Sequence, residues 1–185
     1  MGTGLEELGI VDDELPIEWG GGLSLRGKIP EVDHIEELER IALFAGLLPA
    51  HLVRIGKLAV PVTLQKEEHL FRHGDPANGL YLILTGSVRI SRNTAGVGEE
   101  ALAVLHKGQH FGEMSVIDED VPRSTDAIGH ENTRLLMVPK NELRDLMFVD
   151  RELAYELLWR FVRTLSARLR DSNDRLMMLT ASSKF

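Results

Sequence analysis

From Val60 to Val138 the chain is a succession of short apolar or alternating segments, each stopped by a glycine or a turn sequence. Val60-Pro61-Val62-Thr63-Leu64 alternates with the period of two that puts successive side chains on opposite faces of a strand. Glu68 to Phe71 predicts a second strand, and His73-Gly74-Asp75-Pro76 after it is turn chemistry. Tyr81 to Leu84 and Val88 to Ser91 flank a tight turn near Thr85-Gly86 and predict a hairpin. Asn93 to Gly98 reads as a glycine-rich loop, and Ala101 to Leu105 returns as a strand. Asp126 to Gly129 and Arg134 to Val138 complete the set. Short strands at regular spacing, broken by glycine turns, predict a closed antiparallel β sandwich or barrel.

The stretch Phe111 to Thr125 interrupts the strands. It opens with Gly112 and Glu113, continues through the apolar Met114 to Ile117, and closes with Pro122, Arg123, Ser124 and Thr125. Met114 to Ile117 suffices for about one helical turn. A glycine admits a ligand close to the backbone, and the N–H groups that open a helix favour an anion. Arg123 brings a planar, permanently charged fork to the same anion, and Ser124 and Thr125 add donors. Glu113 repels a phosphate but can accept hydrogen bonds from sugar hydroxyls beside one. The residues therefore predict a pocket for one phosphate attached to a ribose.

Gly112-Glu113 with Pro122-Arg123-Ser124 resembles the phosphate-binding cassette of cyclic-nucleotide-binding domains. Leu70 to Ala77, Leu80 to Val88 and Lys107-Gly108-Gln109 stand ahead of it in the order and spacing of that family. The likeness runs from about Ile35 to Leu179. It implies a mainly β fold: a double-stranded β-helix jelly-roll barrel, flanked by N-terminal helices and a long C-terminal helix. It implies ligand contacts from Gly112, Glu113, Met114, Ser115, Arg123, Ser124 and Thr125. It departs from the family at Thr125 and Asp126, where small and apolar residues are usual. An inward Asp126 carboxylate would weaken phosphate binding; period two from Arg123 would turn it outward.

Helical spacing flanks the strands. Ile35, Leu38, Ile41 and Ala42 repeat at three to four, with Asp33 as N-cap and Glu36 three residues on. Phe44-Ala45-Gly46-Leu47 ends that helix, and Pro49 starts another through His51, Leu52, Ile55 and Leu58. The resemblance implies that this pair packs on the barrel and moves when ligand binds. Pro139 opens a short helix with Leu143 and Leu146, and a long one runs from about Arg151 to about Leu179. In it Leu158, Val162, Leu165, Leu169, Ser172, Leu176 and Leu179 follow at steps of 4, 3, 4, 3, 4 and 3, an a/d seam that predicts a parallel homodimer. Leu153, Leu157 and Phe161 are left to pack on the barrel. In the family's activator-type members the matching helix passes over the pocket. Aligned on Leu165 to Leu169, Arg168, Ser172 and Asn173 fall near the nucleotide base.

The sequence predicts an acidic flexible arm over residues 1–32, a sensor domain over residues 33–148, and a dimerisation helix and tail over residues 149–185. Residues 1–40 hold eleven acids against three bases, whereas the remainder is balanced, so the net charge of −8 belongs to the N-terminal 40 residues. A short helix near Leu5 to Leu8 and docking of Ile17 and Trp19 are the arm's only structural signals. With no cysteine there is no disulfide, thiolate zinc site or iron–sulfur cluster. The seven histidines show no ligand spacing, and Asp118-Glu119-Asp120 reads as a surface loop. No long uncharged apolar run and no secretory signal is visible, so the expected location is the cytoplasm, off the membrane.

No Walker loop, HExxH or nucleophile elbow appears, so no enzyme is expected. No cofactor is expected either; the ligand is a cyclic mononucleotide. Ser172 and Asn173 can serve the adenine edge and favour cyclic AMP, while the Ser124 hydroxyl leaves cyclic GMP open. The expected partners are that ligand, a second copy and an unidentified protein effector. Lacking a basic stripe and a recognition helix, the chain is not expected to read DNA. The alternatives are a scaffold of the same fold with an empty or altered pocket, and the sensor fragment of a larger regulator.

Overall fold

The computed structural model describes residues 34–182 apart from 95, 97, 119 and 120. The arm with its Leu5–Leu8 and Trp19 features, the Asp33 cap, Glu119 and Asp120, and the side chain of Leu179 lie outside the described residues. The elements are α1 (Ile35–Glu39), α2 (Pro49–Leu58), β1 (Val60–Leu64), β2 (His69–Phe71), β3 (Gly79–Thr85), β4 (Ser87–Thr94), β5 (Gly98–His106), β6 (His110–Phe111), α3 (Met114–Ile117), β7 (Asp126–Gly129), β8 (Thr133–Pro139), α4 (Lys140–Val149) and α5 (Arg151–Ser182).

The strands form two four-stranded antiparallel sheets, ordered β1-β8-β3-β6 and β2-β7-β4-β5. This is the jelly-roll architecture with its flanking helices and long C-terminal helix. The central strands β3 and β8 explain why Leu80-Tyr81-Leu82-Ile83-Leu84 and Leu135 to Val138 lack polar alternation. Leu80, Leu82, Leu84, Leu136 and Val138 pack outward with Leu38, Phe44, Leu52 and Leu143 of the helices. Tyr81, Ile83, Leu135 and Met137 pack inward with Leu64, Val88 and Phe111 between the sheets. Both faces are covered, so both parities are apolar.

Three local expectations change. β3 and β4 are not a hairpin: β3 pairs with β8 and β6, while β4 pairs with β5 and β7. The chain crosses between sheets at Gly86, whose φ is +79° and where a Cβ would lie 2.5 Å from both Asn132 O and Thr133 Oγ1. The hairpin is β4–β5, whose ladder extends to Thr94↔Gly98 and so takes up the ends of the predicted glycine loop. The periodic run from Ile35 to Ala42 gives a helix only to Glu39, because the Ala42 N–H donates to Gly108 O at 2.9 Å instead of continuing the helical ladder.

Asp150 separates α4 from α5 and caps the latter, accepting from the Leu153 N–H at 3.1 Å. Arg54 of α2 donates to the same carboxylate at 2.5 Å, and His51 Nε2 lies 3.4 Å from it. Arg160 donates to Leu43 O at 3.2 Å and Ala45 O at 2.7 Å. Leu153, Leu157 and Phe161 are fully buried, each contributing about 1.5–3 kcal/mol by burial. The start of α5 is thereby fixed to the barrel and the N-terminal helices.

Candidate functional site

Pairing of β6 with β3 sets Phe111 opposite Tyr81 and His110 opposite Leu82, and delivers Gly112 to the end of β3. Gly112 has φ +86°, and a Cβ there would lie 2.7 Å from Gly79 O and 2.9 Å from Arg123 Nη1. The glycine is thus required twice, for its left-handed backbone and for the approach of the guanidinium.

Arg123 reaches this point from the segment before β7. Its main chain is pinned to the β2–β3 turn: its N–H donates to Asp75 O, and its carbonyl accepts from the Gly74 N–H, both at 2.9 Å. Its side chain is 5% exposed. The guanidinium lies 4.1 Å over the Phe71 ring and 5.4 Å from that of Tyr81, a cation–π clamp. Nη2 donates to Asn78 Oδ1 at 2.6 Å and to Gly79 O at 3.1 Å, and Nε has no partner among the described residues. Burial pushes its pKa down from the ordinary arginine value; Tyr81, Asp75 and Glu113 act the other way. Among the described residues it makes no ion pair, so within them it is a buried cation without a paired counter-charge.

Glu113 is buried at 2% exposure and is already engaged. Its Oε1 accepts from Arg168 Nη1 at 2.5 Å, while Oε2 has no partner among the described residues. Arg168 also donates through Nη2 to His110 O at 2.6 Å. The His110 ring is buried beside Phe161. Burial pushes its pKa down to about 4, with Arg168 adding to the shift, so it is neutral at neutral pH and brings no charge to an anion. Ser115 Oγ donates to Gly112 O at 2.7 Å, and Met114 is exposed.

These groups border a cavity of about 960 Å³ between α3, the segment around Arg123, β5 and α5. Gly112, Glu113, Met114, Ser115, Arg123, Ser124, Thr125, Arg168 and Ser172 all line it. Asn173 is exposed and is not among the lining residues; one step along a helix turns a side chain about 100° from its neighbour. Asp126 also lies outside the lining: its buried carboxylate accepts from the His73 N–H at 2.7 Å.

Sequence reasoning missed Phe71, which clamps the arginine, and Asn78, which orients it. It also missed Asp171 and Arg175, which line the cavity from α5. A helical projection from Arg168 would have found Arg175, seven residues on and on the same face. Among the described residues no cluster could hold a metal ion, and no helix is long and apolar enough to cross a membrane.

Known proteins are similar to this chain in sequence and fold. The family model for the cyclic nucleotide-binding domain matches residues 61–150. A CRP-like cAMP-activated global transcriptional regulator of Mycobacterium tuberculosis is 30% identical over 141 residues, which cover 76% of this chain and 61% of that protein. The chain therefore spans about three fifths of that relative's length. The structure of a cyclic nucleotide-binding domain from Methylobacillus flagellatus superposes with a TM-score of 0.67 at 26% identity, covering 77% of this chain and 80% of that one. The N-terminal domain of a transcriptional regulator from Streptomyces coelicolor gives a TM-score of 0.61 at 30% identity, covering 75% of this chain and 95% of that one. With the jelly roll, the Gly112 approach and the buried Arg123 in place, the chain belongs to the cyclic nucleotide-binding domain family.

Proposed function

We propose that this chain is a regulatory module that binds cyclic AMP in preference to cyclic GMP and passes its ligand state to a protein effector through α5 and the N-terminal helices. The observation that carries the reading is the buried Arg123 facing the cavity, without an ion-pair partner among the described residues. Charge supports a cyclic ligand in particular. Of the charged groups lining the cavity only Glu113, Arg123 and Arg168 are buried or half-buried, and with Glu113 and Arg168 paired, Arg123 is the buried charge left over. A cyclic phosphodiester brings one negative charge and neutralises it; a phosphomonoester brings nearly two and leaves an excess in a buried site. Glu113 Oε2 remains as an acceptor for a ribose hydroxyl. Of the two base-facing candidates, Ser172 lines the cavity and can serve the adenine edge. The cAMP-activated relative supports the same base.

Calorimetric titration with cyclic AMP, cyclic GMP and 5′-AMP tests this. Cyclic AMP should bind most tightly and 5′-AMP at least about tenfold more weakly, the order of one uncompensated charge contact. Absence of binding by either cyclic nucleotide would favour a scaffold with an altered pocket.

The same helix supports a parallel homodimer. In the single chain Leu158, Val162, Leu169 and Leu176 are 45–63% exposed, although they form a regular seam. Light scattering at micromolar concentration should give twice the chain mass, and Leu165→Glu with Leu169→Glu should give the single mass. A monomeric wild type would remove the dimer from this reading.

A further inference from the structure

Beyond Phe161, α5 loses its apolar hold on the barrel. No described residue from Val162 to Ala181 is buried, although this stretch is about 30 Å long. In proteins most of the stability of such a helix comes from packing against neighbours. Two arginines, seven residues apart on one face, reach from it to the barrel. Arg168 belongs to the cassette through Glu113 and His110. Arg175 donates from Nη1 to the main-chain carbonyl of Leu102, at 2.5 Å, on β5. Both Arg175 and Leu102 line the cavity. Asp171 stands one turn before Arg175, at the spacing of a helical ion pair. The guanidinium forgoes that local partner and crosses to β5.

We infer that Arg175 is a positioning residue that holds the C-terminal half of α5 against β5 across the cavity, and so sets how long a bound ligand stays. This rests on the cyclic-nucleotide reading of the cavity. Because the acceptor is a main-chain oxygen, the tether is independent of the side chain at position 102. Because it is polar and exposed, it can break and re-form without uncovering apolar core. Arg168 and Arg175 act at opposite ends: the first answers to the phosphate–ribose end of the cavity, the second closes the end lined by Leu102, Ser172 and Leu176.

The full chain, Arg175→Gln and Arg175→Lys are to be compared by chasing a fluorescent cyclic AMP analogue with excess cyclic AMP. In the glutamine variant release should be about tenfold faster, the loss expected for one charge-assisted hydrogen bond. Association should stay within about twofold, since such contacts act on the off-rate. Lysine, which keeps a charged donor, should recover part of the dwell time. Without ligand, amide hydrogen exchange in residues 165–182 and 98–104 should be faster in the glutamine variant than in wild type. Unchanged release together with unchanged exchange overturns the inference. If wild type binds no cyclic nucleotide, the proposed function fails. In that case the exchange comparison still decides the tether, faster exchange supporting it and equal exchange overturning it.

Discussion

Replacing Arg123 by leucine is expected to reduce cyclic-nucleotide affinity by about thirtyfold or more while the barrel stays folded. Loss of one member of a buried, hydrogen-bonded charge pair typically costs roughly 2–5 kcal/mol, or about thirty- to several-thousand-fold in affinity. The position itself tolerates an apolar side chain, since Phe71 and Tyr81 already form its walls. Asn78 Oδ1 keeps the Tyr81 hydroxyl as a donor at 3.0 Å, so the substitution does not orphan it. Calorimetric titration paired with a thermal melt separates the two effects. Wild-type affinity in the leucine variant would place the ligand elsewhere.

The second large effect is expected at Gly112. An alanine Cβ there would meet the Gly79 carbonyl at 2.7 Å and Arg123 Nη1 at 2.9 Å, on a backbone with φ +86°. The carbonyl belongs to β3, which is held in the sheet by β8, so it has little freedom to retreat. The guanidinium is therefore the group that shifts, off its stacking position and away from the phosphate. Gly112→Ala should lose stability by about 1–3 kcal/mol from backbone strain and also weaken ligand binding by at least about tenfold, as misplaced catalytic or binding groups do. Gly74→Ala is the control. Its φ is +89°, yet no atom lies within 4 Å of the added Cβ, so it should cost stability of about 1 kcal/mol with affinity retained. Equal binding by both variants would show that close approach at Gly112 is not required.

Much of this architecture was legible in the chain. Gly112, Glu113 and Arg123 could be placed in one pocket because a glycine that admits a backbone, a short apolar turn and a proline-arginine-hydroxyl run follow one another locally. The start of α2 at Pro49 followed from its proline and the long α5 from its apolar spacing, which are also local. Leu153, Leu157 and Phe161 could be assigned to the barrel because their spacing diverges from the seam at Leu158 and Val162. The pairing of β3 was not legible: residues 79–85 and 87–94 look like a hairpin, and nothing nearby reveals that Gly86 sends the chain into the other sheet. The short α1 was equally hidden, since the Ala42 N–H finds its acceptor at Gly108, far along the chain.

At the site the division falls in the same place. Residue type and order along the chain carried the chemistry: which residue brings charge, which admits a backbone, which face of α5 is apolar. Contacts between distant segments carried its tuning. Arg123 is a desolvated cation because Phe71 of β2, Tyr81 of β3 and Asn78 just before β3 close on it. Glu113 has Oε1 taken by Arg168 from α5, while Oε2 has no partner among the described residues. Asn173 points off the cavity while Ser172 lines it, and Arg175 crosses to Leu102 instead of pairing with Asp171. Helix period, turn chemistry and backbone permissiveness depend on a few neighbouring residues and can be read in order. Charge compensation, burial and the direction of a long side chain depend on what the fold brings within a few ångströms, and those neighbours are not adjacent in the chain.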